Sequence, residues 1–169
     1  MNIEVIPIAK TDWQRLRALR LASLLDTPEA FGATHENESQ LTANDWHERF
    51  NRVSFFIASV DGIDCALMSV EELTGDFGAN VWLGGCWVDP RYRGNGVMRA
   101  LLNYIDQLAP KNGWQRQGLG VWHDNYKAIA SYERLGFVKM GDLAESTRKP
   151  GKYFQRMIRD TPNYLLCRL

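Results

Sequence analysis

The chain has 169 residues, of which 45% are hydrophobic and 24% charged, and its 20 basic and 20 acidic side chains cancel to a formal net charge of zero. This composition is typical of a soluble protein, and the length favours one domain over residues 1–169. Zero net charge gives no electrostatic reason to expect a nucleic acid or a membrane as a partner. No apolar run approaches the roughly 18 residues that a membrane-spanning helix needs.

Three isolated cysteines, Cys65, Cys86 and Cys167, lie far apart in the chain and show no C-x-x-C or metal-binding spacing. An odd number of scattered cysteines is most simply explained by a reducing compartment. The first residues contain neither a basic region nor a long apolar run, so no signal peptide is expected. The sequence therefore predicts a cytoplasmic protein that binds no metal ion.

Short periodic segments predict the N-terminal elements. Ile3–Ile6 alternates weakly and indicates a strand, and Thr11-x-x-Gln14 indicates a capping box that opens an amphipathic helix. Residues 26–41 are polar and mixed, which predicts a long connection of the kind that often faces a substrate. Thr42-x-x-Asp45 predicts the cap of a second helix.

Residues 54–88 are typical of an antiparallel meander. Apolar runs on both sides of Asp61-Gly62 form the strongest short-range hairpin signal in the chain. A second turn, Thr74–Gly78, precedes a third strand at Val81–Val88. Two central glycines in this strand predict a bulge or the close approach of another group to the backbone.

The C-terminal part alternates between helix and strand signals. The helix that follows the meander is predicted to stop at Pro110, and Gly118–Trp122 is a short glycine-containing strand. Asn125 can cap the next helix. Two further strands are predicted at Phe137–Met140 and Tyr153–Ile158, and the apolar tail after them has no assigned element.

The order of these elements defines the fold class. A strand–helix–strand crossover between residues 81 and 122 normally joins parallel strands, whereas the meander is antiparallel. The chain is therefore predicted to be α/β, of the α+β type, with a mixed, mostly antiparallel central sheet and helices on both faces.

The stretch from Val88 to Leu102 carries the strongest functional signal. An apolar strand leads into Arg93-Gly-Asn-Gly96, and an amphipathic helix follows directly. Glycines let the backbone approach a ligand closely, and the unpaired N–H groups at a helix N-terminus attract anions. The turn is therefore either a phosphate cradle, with Arg93 as an adjacent cation, or simply a structural turn.

Two separated motifs resemble the GNAT superfamily of acetyl-CoA-dependent N-acetyltransferases. Val88-Asp-Pro-Arg-Tyr-Arg-Gly-Asn-Gly-Val97 is similar to that family's pyrophosphate loop. Some thirty residues on, Asn125-x-x-Ala-x-x-x-Tyr132-x-x-x-Gly-Phe137 is similar to its second signature. The predicted order of elements also matches along most of the chain. The resemblance therefore implies the GNAT acyltransferase fold and acetyl-CoA as the acyl donor.

The resemblance also implies which residues bind the cofactor. The pyrophosphate would lie on the backbone of Arg93, Gly94, Asn95, Gly96, Val97 and Met98. The pantetheine would contact Asn125 and the backbone N–H groups of Trp87 and Val88, in a gap where two parallel strands splay apart. Glycines 84, 85, 118 and 120 suit an irregular backbone there. Met98 occupies a position that is usually small in the family, so we expect it to weaken or shift cofactor binding.

The catalytic roles implied by the resemblance are less evenly defined. Tyr132 matches the usual general acid, which protonates the leaving CoA thiolate, although it also falls on the buried stripe of its helix. The family has no fixed general base. Glu71 and Glu72 end the strand before the cofactor strand, and alternation should turn one of them towards the cleft. Asp89 is more simply a turn residue before Pro90.

Three functions remain open at this point. The first is an N-acetyltransferase that acts on a primary amine of a small molecule or peptide by direct attack on the thioester. The second is a non-catalytic acyl-CoA-binding or sensor domain of the same fold. The third, an enzyme directed at nucleic acid, is disfavoured by the zero net charge. Many members of the family dimerise, so the resemblance admits a homodimer.

Overall fold

The computed structural model describes residues 1–164, so that Cys167 and the end of the apolar tail lie outside the described residues. The helices and strands follow in the order β1 (Ile3–Pro7), α1 (Trp13–Asp26), α2 (His35–Ser39), α3 (Ala43–Arg49), β2 (Val53–Val60), β3 (Ile63–Glu72), β4 (Val81–Val88), α4 (Val97–Asn112), β5 (Arg116–Trp122), α5 (Tyr126–Arg134), β6 (Val138–Glu145) and β7 (Tyr153–Asp160). Among these residues, none of the helices has the length and apolar character that crossing a bilayer requires.

The strands form one seven-stranded sheet in the order β1-β2-β3-β4-β5-β7-β6. β4 and β5 are parallel, with Val81 opposite Gln117 and Trp82 opposite Gly118. The pairs β1–β2, β2–β3, β5–β7 and β6–β7 are antiparallel. The predicted crossover and the mixed, mostly antiparallel sheet are therefore confirmed.

Local turn and capping signals place most of the element boundaries correctly. Asp61 and Gly62 both have positive φ, 49° and 83°, as a two-residue hairpin turn requires. Thr42 and Asp45 form a reciprocal capping box at the start of α3. The Asn125 side chain accepts a hydrogen bond from the Ala128 N–H and caps α5.

Two of the predicted helix boundaries are wrong. Thr11 is not an N-cap, because residues 10–12 form a 3-10 turn and α1 begins at Trp13 without a side-chain cap. Pro110 does not end α4, which continues to Asn112. A proline this close to the end removes a single helical hydrogen bond. The residue after the helix is Gly113, whose φ of 77° is the left-handed conformation that favours glycine and terminates the helix.

The residues divide into two compact units, which we describe separately. The first comprises Met1–Glu71 and Gly84–Ile105. On one face of its strands, residues from β2, β3 and β4 pack with α1 and α3 in a buried cluster around Leu16, Trp46 and Trp87. On the other face, Phe56 of β2 contacts Tyr104 of α4, with ring centroids 5.9 Å apart. Helices therefore cover both faces of the strands in this unit.

The second unit comprises Glu72–Leu83 and the chain from Asp106 onward. A buried polar network ties its strands to the end of α4. The Asp106 carboxylate accepts hydrogen bonds from Gln117 at 2.7 Å and from Arg159 at 2.5 Å. Burial raises the pKa of Asp106, because desolvation outweighs the two partners. The donors of β5 and β7 therefore offset only part of the desolvation of this carboxyl.

Candidate functional site

The segment after β4 is a rigid, hydrogen-bonded turn. The Asp89 carboxylate accepts a hydrogen bond from the Arg91 N–H at 2.9 Å and pairs with the Arg91 guanidinium at 2.8 Å. These hydrogen bonds from Arg91 lower the pKa of Asp89, and they outweigh the desolvation that raises it. Asp89 is thus the turn residue that the sequence indicates, with its carboxylate committed to its neighbour.

The glycine turn leads directly into α4. Gly94 and Gly96 have φ values of 77° and 80°, a conformation that strains any other residue, and a Cβ on either would meet nothing within 4 Å. The Asn95 side-chain amide donates to the carbonyls of Tyr92 and Arg93, both at 3.2 Å. The backbone from Arg93 to Met98 is therefore held in shape with open space above its glycines.

Arg93 is less available to bind a phosphate than the sequence suggests, because its guanidinium already has partners within the protein. Its Nε donates to the Val88 carbonyl at 2.8 Å, and its Nη2 pairs with the carboxylate of Asp26 at the end of α1. The same carboxylate accepts a hydrogen bond from the buried Trp87 indole at 2.9 Å. Asp26 thus ties α1, β4 and the glycine turn together. Sequence reasoning missed this residue, because its partners lie 61 and 67 positions away.

The two predicted base candidates each have a partner. Glu71, in the first unit, pairs with Arg52 at 3.0 Å, and this arginine side chain is 78% exposed. Glu72, in the second unit, accepts a hydrogen bond from the Trp114 indole at 2.8 Å. Consecutive strand residues point to opposite faces. Glu71 shares the face of α1 and α3, because it lies opposite Val53, which packs on their core.

The second unit contains the other two predicted residues. Asn125 caps α5 through a 3.2 Å hydrogen bond from the Ala128 N–H. Tyr132 lies about two turns further along. It is half-buried, with its ring edge-to-face against Phe137 at a centroid distance of 6.0 Å. The predicted burial of Tyr132 on its helix face is therefore only partial.

The glycines of β4 and β5 differ in the structural constraint that favours glycine at each position. Of the four expected to suit an irregular backbone, Gly85 alone has a positive φ, 55°. A Cβ on Gly118 would lie 2.7 Å from the Trp82 ring, and one on Gly120 would lie 3.1 Å from Phe154. The two β5 glycines therefore make room for aromatic side chains and do not mark irregular backbone.

The described residues do not bring together a metal centre. Within residues 1–164, no group of three or more His, Cys, Asp or Glu side chains is arranged to hold a metal ion. The groups that the candidate site offers are backbone N–H groups, the phenol of Tyr132, carboxylates and guanidinium groups.

Comparison with known proteins gives matches in sequence and in fold. The family model described as the acetyltransferase (GNAT) family matches residues 16–137. A spermine/spermidine N(1)-acetyltransferase of Bacillus subtilis is 36% identical over 64 residues, which cover 37% of this chain and 42% of that enzyme. The chain thus matches less than half of the length of this curated relative.

Solved structures extend the likeness to nearly the whole chain. The ribosomal-protein-S5-alanine acetyltransferase of Vibrio fischeri superposes with a TM-score of 0.75 at 16% identity, covering 97% of this chain and 96% of its own. The spermidine N-acetyltransferase of Vibrio cholerae, in complex with CoA and spermine, gives 0.72 at 17% identity, covering 96% and 98%. At these identities the likeness shows a shared fold. With the family model matching most of the sequence, the chain belongs to the GNAT acetyltransferase family.

Proposed function

We propose that this protein is an N-acetyltransferase that moves the acetyl group of acetyl-CoA to a primary amine of a small molecule or peptide. The observation that carries this proposal is the glycine turn Arg93–Met98, which lies open at the N-terminus of α4 within the matched region of the family. A solved relative of the same fold holds CoA, which supports the choice of donor. The buried thiol of Cys65, which forms no disulfide, supports a reducing, cytoplasmic setting.

The cofactor is proposed to bind mainly through backbone groups. Its pyrophosphate takes the N–H groups of residues 93–98, where the positive end of the α4 dipole adds to the attraction. Because Asp26 neutralises Arg93, the guanidinium fixes the turn and contributes little free charge. The pantetheine is proposed to take the N–H groups of Trp87 and Val88 in the first unit. The resemblance also assigns it Asn125, whose side chain caps α5 in the second unit. Met98 is partly exposed in the first turn of α4, and we expect its side chain to weaken or shift cofactor binding.

The reaction is proposed to proceed by direct attack. A neutral amine nitrogen adds to the thioester carbonyl, and backbone N–H groups of β4 stabilise the resulting oxyanion. The carbon–sulfur bond then breaks, and Tyr132 donates its phenolic proton to the departing CoA thiolate. Glu71 is the preferred acceptor of the amine proton, because its exposed pair with Arg52 contributes at most about 1 kcal/mol and exchanges readily. Glu72 is the second candidate.

Calorimetric titration of acetyl-CoA, with desulfo-CoA and ATP as comparison ligands, tests the donor. Saturable binding of acetyl-CoA without binding of ATP is expected. Gly96→Glu should abolish it, because a carboxylate would occupy the pyrophosphate position. Gly62→Glu is the matched control, since Gly62 has a φ of 83°, also has nothing within 4 Å of a Cβ, and lies in the same unit.

Turnover separates the enzyme from the non-catalytic alternative. Release of CoA thiol in the presence of an amine panel supports the proposed transferase. Tight acetyl-CoA binding with no thiol release from any amine would instead establish an acyl-CoA-binding or sensor domain. Unchanged acetyl-CoA affinity in a folded Gly96→Glu protein would remove the pyrophosphate from this turn.

A further inference from the structure

A cluster of two arginines and one glutamate links α1, α2 and α3 in the first unit. The Glu38 carboxylate, with 8% of its side chain exposed, pairs with Arg20 at 3.1 Å and with Arg49 at 3.1 Å. The Phe31 ring packs over the Arg20 guanidinium, 4.8 Å from its centroid. Burial acts to raise the pKa of Glu38, but the charges and hydrogen bonds of the two arginines outweigh it and lower that pKa. The glutamate is therefore ionised at neutral pH.

This cluster carries one surplus positive charge. Two guanidinium groups share a single carboxylate, and Arg20, with 14% of its side chain exposed, is the more enclosed of the two. Its Nε and Nη2 are used on Glu38. Its Nη1, by contrast, is buried and has no hydrogen-bond partner anywhere in residues 1–164. An unsatisfied charged donor of this kind is costly unless something binds it.

The unpartnered N–H lies close to Gly85 on β4, a residue without a side chain. A Cβ built on Gly85 would have only two neighbours within 4 Å outside its own chain segment: Arg20 Nη1 at 3.6 Å and Ser69 Oγ at 3.9 Å. Ser69, Gly84 and Gly85 are all partly exposed to solvent. Because Gly85 has no side chain, an acceptor oxygen has room to lie beside both groups, Arg20 Nη1 and Ser69 Oγ. Arg20, Ser69 and Gly85 therefore form a small anion pocket, named here the Arg20 pocket.

A carboxylate lies next along the same face of the sheet. Ser69 and Glu71 are two residues apart on β3 and lie opposite Phe55 and Val53, which both belong to the α1–α3 side. Two strand residues span about 6.6 Å. Positive and negative groups are thus presented at the spacing of the two charged ends of a small zwitterion.

We propose that the acceptor is an amine that carries a carboxylate a few bonds from its nitrogen, as a free amino acid does. The carboxylate binds Arg20 Nη1 and Ser69 Oγ, and the amino group faces Glu71. This inference rests on the proposed transferase function and specifies its substrate class. A single surplus positive charge matches a monoanion and leaves the second charge of a phosphate unpaired. A polyamine, which brings only positive charge, is disfavoured in this pocket.

An acceptor panel tests the class directly. Thiol release is measured with the twenty L-amino acids, the carboxamide of each, the corresponding amine that lacks the carboxylate, phosphoethanolamine and spermidine. For every amino acid that is acetylated, we expect kcat/KM to be at least tenfold higher than for its carboxamide. The difference should come mainly from a lower KM for the amino acid. Equal values for carboxylate and carboxamide overturn the inference, as does a preference for phosphoethanolamine or spermidine.

Two variants assign the preference to the pocket. Ser69→Ala removes one donor without disturbing the buried ion pairs and should raise KM for the carboxylate acceptor several-fold. Arg20→Lys keeps the charge on Glu38 but removes Nη1 and should reduce the carboxylate-to-carboxamide ratio towards one. Arg52→Lys is the control, since it retains the exposed pair on Glu71. The affinity for acetyl-CoA should be unchanged in all three proteins.

Failure of this inference is distinguishable from failure of the proposed function. Turnover of spermidine or of simple amines alone retains the transferase and eliminates the pocket. A Ser69→Ala protein that loses activity equally with carboxylate and carboxamide acceptors also eliminates it. If no amine is turned over, the inference falls together with the transferase, and the calorimetric titration then shows whether acetyl-CoA binds at all.

Discussion

The link between Asp26 and Trp87 should make a measurable contribution to stability. The Trp87 side chain is 5% exposed, and its indole N–H donates to the Asp26 carboxylate at 2.9 Å. Asp26→Ala leaves this donor buried without its acceptor, which costs about 1–3 kcal/mol. The pair with Arg93 adds no more than about 1 kcal/mol, because that arginine is 46% exposed. We therefore expect Asp26→Ala to lower the free energy of unfolding by about 1–4 kcal/mol.

A double-mutant cycle isolates the hydrogen bond. Trp87→Phe removes the N–H donor and retains an aromatic ring, so Asp26→Ala should cost much less in that background than in the wild type. The expected coupling is about 1–3 kcal/mol, obtained from urea unfolding followed by circular dichroism. Asp142→Ala, at an exposed carboxylate on β6, controls for the change in net charge and should be nearly neutral.

The same cycle can refute the reasoning. A coupling below about 0.5 kcal/mol is ordinary additivity and would mean that the indole and the carboxylate are energetically independent. A real coupling should have a functional consequence as well, since Asp26 also holds Arg93. Acetyl-CoA affinity is then expected to fall in Asp26→Ala and to stay constant in Asp142→Ala. Loss of stability without loss of affinity would confine Asp26 to the core.

Three shorter predictions concern other parts of the molecule. Tyr132→Phe should lower kcat by about 10²–10⁴-fold with little change in acetyl-CoA affinity. Tyr126→Phe, at a 75% exposed residue of the same helix, should leave kcat unchanged. An unchanged kcat in Tyr132→Phe would end the general-acid assignment. Gly118→Ala should destabilise the protein by about 1–3 kcal/mol in urea unfolding, because its Cβ would lie 2.7 Å from the ring of Trp82. Glu38→Gln should be less stable than wild type at neutral pH. The folded state lowers the pKa of Glu38, so the stabilisation by the ionised carboxylate is lost as the pH falls through that lowered pKa. The difference in stability should therefore shrink below the ordinary carboxyl pKa of 4.5. A difference that stays constant in a pH series would show that the ionised form is not what stabilises the cluster.

The features that the sequence predicted well are those that depend on neighbouring residues. The Thr42–Asp45 capping box, the Asp61-Gly62 hairpin and the Asn125 cap each involve side chains no more than three residues apart. The pattern at Thr11 looks equivalent but is wrong, because a 3-10 turn there displaces the start of the helix. Pro110 was also misleading, since its cost depends on how many helical hydrogen bonds remain beyond it.

The features that the sequence did not predict depend on contacts between distant residues. Asp26 reaches Trp87 across 61 positions, and Glu72 reaches Trp114 across 42. Each residue by itself is an ordinary polar or aromatic side chain, and only the fold brings the donor to the acceptor. The glycine turn was recognisable because its φ requirement is encoded locally, whereas the Arg20 pocket combines three elements that no local pattern connects.

Charge is distributed differently over the two proposed anion sites of the first unit. At the glycine turn, Arg93 is paired with Asp26, so the attraction for pyrophosphate comes from backbone N–H groups and the helix dipole. At the Arg20 pocket, two arginines share one carboxylate, so the pocket keeps a net positive charge that can attract an anionic ligand. Surface charge is screened by salt, and a buried pocket is screened much less. Raising the ionic strength should therefore weaken acetyl-CoA binding at the exposed glycine turn more than acceptor binding at the Arg20 pocket. Discrimination between acceptors should persist in salt, because a largely buried donor provides it.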